Sequence, residues 1–205
     1  MKFFTSALLF AGLCSGPLMA QSLTVEELRA KIDQRVAAVN PYQELLADPD
    51  PARSMAAVEI MLESKDVVLE RMAIEFGLLS SSPAVRRRAL DAYLAAGPSL
   101  TMRLDGSKTE SPSFAQLLRG SWRGSVDADG VAYTTWKVGG FDESEGCYLF
   151  EGYSQCFVKV SANGVAISGS NLSAQLQNDG SGTLSGVASL GGVTESIPIT
   201  IDLVD

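Results

Sequence analysis

The hydrophobic period of this chain changes partway along, and that change restricts it to a helical part followed by a β part. As far as Gly97 the apolar residues recur at three- and four-residue spacing. From Trp122 onward they alternate, and glycine- and asparagine-rich turns interrupt them every few positions. A helical pattern cannot settle as a strand, because alternation sends successive side chains to opposite faces while a helix gathers every third or fourth on one.

The helical pattern opens at Thr24-Val-Glu-Glu27, a capping box in which the Thr24 hydroxyl accepts from the amide of Glu27 and the Glu27 carboxylate reaches back. Val25, Leu28, Ile32 and Val36 follow on one face, and Asn40-Pro41 predicts the stop. Asp50-Pro51 and Ser82-Pro83 each set a capping side chain before a proline at the first helical position, and Asp66 caps a helix between them. Gly97-Pro98 ends the last one. These three helices align at a 17-residue offset, with apolar columns at 55/72/89 and 62/79/96, although Glu59 stands where the next two have Phe76 and Tyr93. Two such units make a period of about 34 residues, in the range of helical-hairpin repeats. Through Arg71-Met-Ala-Ile-Glu-Phe-Gly77 and Ser82-Pro-Ala-Val-Arg-Arg-Arg-Ala-Leu90, residues 48–97 resemble HEAT-like repeats; a four-helix bundle is the alternative.

Residues 98–113, with Asp105-Gly-Ser-Lys-Thr-Glu-Ser-Pro112, are polar and rich in breakers and read as a linker. A short helix at Phe114 to Leu118 comes next, then a strand holding Trp122, Gly124 and Val126. Further strands are expected at Val131 to Val138, Cys147 to Phe150, Cys156 to Val160, Val165 to Ser168, Leu172 to Leu176, Thr183 to Leu190 and Ser196 to Leu203. Asn163-Gly164, Asn178-Asp-Gly-Ser-Gly182 and Gly191-Gly192 supply turns. The fold class is therefore segregated α+β: helical hairpin repeats or a bundle over residues 21–97, then an antiparallel β-barrel or β-sandwich over 114–205. The Gly120-Ser-Trp122 sequence resembles the opening of lipocalin-type barrels. That resemblance implies a barrel whose interior, lined by Trp122 and Trp136, holds a small apolar ligand; the plainer reading makes both tryptophans barrel core.

Before the helices, Met1-Lys2, the apolar run Phe3 to Leu13 and Ser15-Gly-Pro-Leu-Met-Ala20 look like a secretory signal occupying residues 1–20. The apolar run is too short to span a bilayer, and Leu13 before Cys14 argues against lipidation, so cleavage is expected after Ala20. The expected address is periplasmic or secreted, with no membrane span in the mature chain. Cleavage removes Lys2 and no acid, taking the formal charge from −8 to −9, which disfavours nucleic acid as a partner. The remaining cysteines, Cys147 and Cys156, should pair: a two-residue turn at Glu151-Gly152 would set them opposite one another on a hairpin.

With no histidine in 205 residues, every triad, dyad or metal site that relies on imidazole is closed to this chain. No lysine lies in a nucleophile motif, and no cofactor is expected. Asp142-Glu-Ser-Glu145 is acidic but lacks the spacing of a calcium loop and reads as an exposed turn. The one basic run, Arg86-Arg-Arg88, fans around the first two turns of its helix. It is a candidate partner-binding patch, or else is neutralised by Glu70 or Glu75 of the preceding helix. The function expected is a noncatalytic binding or structural protein of a bacterial envelope, its partner a protein or envelope component. The alternatives are a small apolar-ligand barrel and, third, a histidine-independent hydrolase. Oligomeric state is left open by the sequence.

Overall fold

The computed structural model describes residues 24–161 and 163–204. The segment read as a secretory signal lies outside the described residues. Five α-helices and nine strands follow in the expected segregated order. They are α1 Val25–Leu46, α2 Pro51–Glu63, α3 Val67–Leu78, α4 Pro83–Ala95, β1 Ser99–Asp105, α5 Pro112–Gln116, β2 Ser125–Val126, β3 Val131–Asp142, β4 Cys147–Phe150, β5 Cys156–Ser161, β6 Gly164–Gly169, β7 Leu172–Asn178, β8 Thr183–Leu190 and β9 Ile197–Asp202. A π-helical turn, Leu117–Ser121, continues α5.

The chain divides into two compact units at the Asn40/Pro41 bond. In the first, the capping box forms as expected: Thr24 N donates to Glu27 Oε2 at 2.9 Å and Glu27 N to Thr24 Oγ1 at 3.2 Å. The expected stop at Pro41 is not a stop, because α1 runs on to Leu46 with the proline inside it. A proline within a helix removes one amide and crowds the preceding turn without obliging the chain to leave the helix, and here the division between units falls at that residue.

In the second unit, Asp50 Oδ1 caps α2 through Ala52 N at 2.9 Å, and Asp66 Oδ1 caps α3 through Val68 N at 2.8 Å and Leu69 N at 3.3 Å. Ser82 occupies the equivalent position of α4, but its side chain makes no capping bond. α2 packs on α3 and α3 on α4. The 55/72/89 column faces inward at Met72 and Ala89, whereas Leu79, in the 62/79/96 column, is exposed. The buried positions are one residue earlier, at Met61 and Leu78, a rotation of about 100° on the helix.

The strands form a closed antiparallel barrel of eight strands, ordered β1-β9-β8-β7-β6-β5-β4-β3 with β1 returning to β3; β2 pairs with β3 on the edge opposite β1, at Ser125↔Tyr133 and Val126↔Ala132. The linker expected over residues 98–113 is thus largely structural. Its first half is β1, which pairs with β3 from Ser99↔Lys137 to Asp105↔Val131 and with β9 at Met102↔Ile201 and Leu104↔Ile199. Leu100, Met102 and Leu104 point inward from it, an alternation masked in the sequence by the intervening polar residues. Only β2, at Ser125–Val126, remains of the strand expected around Trp122, because the π-helical turn takes up the residues before it.

Barrel closure depends on close approach of backbones. A Cβ at Gly186 would lie 2.0 Å from the carbonyl oxygen of Gln175 on the neighbouring strand, so β7 and β8 can coil tightly only around a residue without one. One end of the barrel is covered by α3 and α4, whose Leu78, Ala89, Leu90 and Leu94 share a single apolar core with the inward strand residues. The other is covered by Phe114, Leu118 and Trp122, with the Trp122 indole N–H donating to the Ser170 carbonyl at 2.8 Å.

Cys147 and Cys156 form a disulfide with Cα atoms 5.8 Å apart. The bond is as expected and the register is not. Leu149 faces Cys156 and Tyr148 faces Val158, so a bulge intervenes and the cysteines are joined diagonally across a turn longer than two residues. Loop closure across nine positions is worth about 2–3 kcal/mol. Reduction should therefore lower the unfolding free energy read from urea titration by that increment while leaving the fold intact, and thiol counting by mass should find neither Cys147 nor Cys156 free before reduction.

Candidate functional site

The barrel interior was one candidate, and its own side chains occupy it. Trp136 stands at the centre, with Trp122 at a centroid distance of 4.9 Å, Phe150 at 5.4 Å and Phe157 at 5.7 Å in edge-on or tilted contacts. Leu176, Leu184, Ile197, Ile199 and Ile201 fill the rest to near-zero exposure. Trp122 and Trp136 are therefore core residues rather than the lining of an open cup.

The arginine run divides into three environments, as a 100° rotation per residue requires. Arg86 is half-buried and folds back on the α3–α4 turn, its Nη1 donating to the Ser80 carbonyl at 2.7 Å and the Ser81 carbonyl at 3.0 Å. Arg87 is exposed and Arg88 half-buried, and both act electrostatically on Asp91 one turn along. Neither acid expected to neutralise them does so in an ion pair among the described residues. Glu75 pairs instead with Arg71 of its own helix at 3.6 Å.

Arg86 and Arg87 line a cleft of about 410 Å³. Pro83, Ala84 and Leu90 of α4 form one wall, and Val160, Ser161, Gly164, Val165, Gln177 and Asn178, from the ends of β5, β6 and β7, form the other. The floor requires Gly164, whose φ is +114° and where a Cβ would lie 2.3 Å from the Leu176 carbonyl oxygen. The sequence flagged Asn163-Gly164 as a hairpin and Asn178 as the start of a turn, and nothing in either pattern announces a cleft. Arg87 also borders a smaller cavity of about 250 Å³ with Asp91, Phe141, Gly146, Tyr148 and Val160. There the Tyr148 hydroxyl donates to the Asp91 carbonyl at 2.9 Å, linking the barrel to α4.

Burial pushes the Asp91 carboxyl above the usual carboxylate range, with Arg87 and Arg88 pulling it partly back. A folded-state value above the unfolded one means that ionisation works against the fold. Stability from this group is fully present below the unfolded value and is lost as pH rises through the folded one. Asp91→Asn should therefore raise the Tm at about pH 7, and the gain should vanish near pH 3, where the wild-type carboxyl is protonated in both states. An equal gain at both values would show that the effect is not ionisation.

Asp142, in the acidic turn, is consumed locally: its Oδ1 accepts from Ser144 Oγ at 2.6 Å, Ser144 N at 2.8 Å and Glu145 N at 3.3 Å. Hydrogen bonding from Ser144 holds its carboxyl below the usual range. Among the described residues no three acids or cysteines converge as metal ligands, and no helix is long and apolar enough to cross a membrane.

The helices carry a second, apolar groove of about 320 Å³, lined by Tyr42, Leu45, Ala56, Ala57, Ile60 and Met61 among others. Within it Ile60 is 68% exposed, Leu45 47% and Tyr42 39%. Single exposed aliphatics are ordinary, but several around one groove mark a surface suited to a protein partner. No protein-family model, curated protein or solved structure matches this chain.

Proposed function

We propose that this is a noncatalytic binding protein of a bacterial envelope, periplasmic or secreted, which engages a protein or envelope component through its helices while the barrel serves as scaffold. The observation that carries the reading is where the chain spends its apolar side chains. The barrel is filled by its own aromatic and aliphatic residues, whereas the end of α1 and α2 leave Tyr42, Leu45 and Ile60 exposed in an apolar groove. The serial packing of α2, α3 and α4 supports the comparison with HEAT-like repeats, whose stacked helices offer extended binding faces. A disulfide fits an oxidising compartment, and the first twenty residues read as the signal that would deliver the chain there.

The test compares wild type with Ile60→Glu, a substitution at an exposed position that should change the unfolding free energy by no more than about 0.5 kcal/mol. Both are immobilised with the disulfide intact and exposed to envelope extract. A partner retained by wild type and lost by Ile60→Glu supports the reading. Turnover of a glycan, ester or peptide that survives purification and disappears when one carboxylate is replaced would overturn it.

A further inference from the structure

The cleft between α4 and the ends of β5, β6 and β7 has a composition at odds with the rest of the chain. The protein carries a formal charge of −8, yet this cleft is lined by two arginines and by no carboxylate. We propose that it binds an oxyanion, a phosphate or carboxylate group carried on a ligand of about the size of a sugar.

Three features of the lining point to that chemistry. Arg86 is held in place by the Ser80 and Ser81 carbonyls, so its guanidinium is oriented before any ligand arrives. Arg87, next to it, is exposed and makes no hydrogen bond or ion pair among the described residues, leaving its donor fork available for bidentate recognition. Asn178 supplies the third feature. Its Oδ1 accepts from Gly180 N at 3.0 Å, but its Nδ2 is buried without an acceptor, the one such side-chain atom found among the described residues. A buried amide donor left unpaired is costly, and a small turn of the Asn178 side chain, which lines the cleft, would bring it to a ligand oxygen. Gln177 differs, since its Nε2 already donates to the Asn163 carbonyl at 2.7 Å.

The remaining walls set the size and character of the body that carries the anion. Pro83, Leu90, Val160 and Val165 are apolar, and about 410 Å³ is within the range of small-ligand sites. Two acids, Asp179 near Arg86 and Asp91 near Arg87, act on these groups electrostatically without an ion pair among the described residues, and neither lines the cleft. Asp179 accepts from Ser181 N at 2.9 Å, and Asp91 lines the smaller cavity on the other side of Arg87. This inference does not depend on the apolar groove or on a macromolecular partner, so loss of either leaves it standing.

The experiment titrates the full mature chain, ¹⁵N-labelled and with its disulfide intact, with inorganic phosphate, glucose 6-phosphate, glucuronate and glucose. The Asn178 side-chain amide and the arginine Nε resonances are followed. Saturable shifts with the anions and none with glucose are expected. A preference for phosphate or for carboxylate identifies the source of the oxyanion, and equal response to both supports the shared chemistry. Arg87→Gln, which disturbs no hydrogen bond but removes a charge near Asp91, should weaken binding about tenfold or more while the fold stays cooperative and the Tm shifts only slightly. Absence of saturable shifts with every anion, an equal response to glucose, or unchanged affinity in Arg87→Gln would each overturn the proposal.

Discussion

A fragment beginning at Phe114 will not fold, although it contains every strand of the continuous meander. The reason is parity. From β3 to β9 each strand reverses the last, so β3 and β9 run in the same direction and cannot be joined by an antiparallel ladder. β1 solves the problem by lying antiparallel to both, and it belongs to residues 99–105, ahead of the fragment. Without it the barrel becomes an open sheet with two unpaired edges, and the places of Leu100, Met102 and Leu104 are left unfilled. Each of these side chains contributes about 1.5–3 kcal/mol by burial, roughly 5–9 kcal/mol together, against a total stability of about 5–15 kcal/mol for a typical domain. Loss of Leu78, Leu90 and Leu94 from the covered end adds to the deficit. Near-ultraviolet circular dichroism and urea titration should show no cooperative transition for residues 114–205, whereas residues 41–205, which form one compact unit, should retain one. A cooperative 114–205 fragment with a midpoint near that of the whole chain would show that β1 is dispensable.

The same strand marks the limit of what could be read from the sequence. Strands β4 and β8 fall at the expected residues, and β5, β6, β7 and β9 within a residue or two, because each is short, alternating and bounded by glycine or asparagine turns. β1 is just as alternating at Leu100, Met102 and Leu104, but Arg103, Asp105 and the breakers that follow gave its neighbourhood the composition of a linker. Pairing with β3, from Asp105↔Val131 out to Ser99↔Lys137, joins residues far apart in the chain and is a tertiary fact with no local signature. The helix ends show the converse. Asp50 and Asp66 cap as their side chains dictate, while Pro41 lies within α1, where the loss of one amide does not end the helix. For the candidate site, the arginines were visible as a run and their separation as a rotation. The opposite wall was not, since Asn178 and Gly164 come from different hairpins and meet α4 only once the barrel has closed.

Barrel closure also determines the largest single-residue effect, expected at Phe157. Its side chain has 0% exposure and is the bulkiest of the fully buried ones, packed 5.7 Å from the Trp136 ring and 5.1 Å from the Phe150 ring. Removing an aromatic ring from a core costs the transfer free energy of the ring plus that of whatever cavity the surroundings fail to refill, about 3–5 kcal/mol for Phe→Ala. Here collapse is restrained, because β5 is hydrogen-bonded on both sides within a closed barrel and Cys156, the residue before Phe157, is tied to Cys147. The upper part of that range is therefore expected for Phe157→Ala. Phe157→Leu, which retains most of the volume, should cost markedly less. Tyr153 is the internal comparison: it also meets Phe150, at 5.6 Å, but is 68% exposed, so Tyr153→Ala should cost no more than about 0.5 kcal/mol. Urea midpoints at constant m-value measure all three. A Phe157→Ala cost below about 1.5 kcal/mol would mean that the aromatic cluster relaxes freely to refill the space, and that the barrel interior is not rigidly packed.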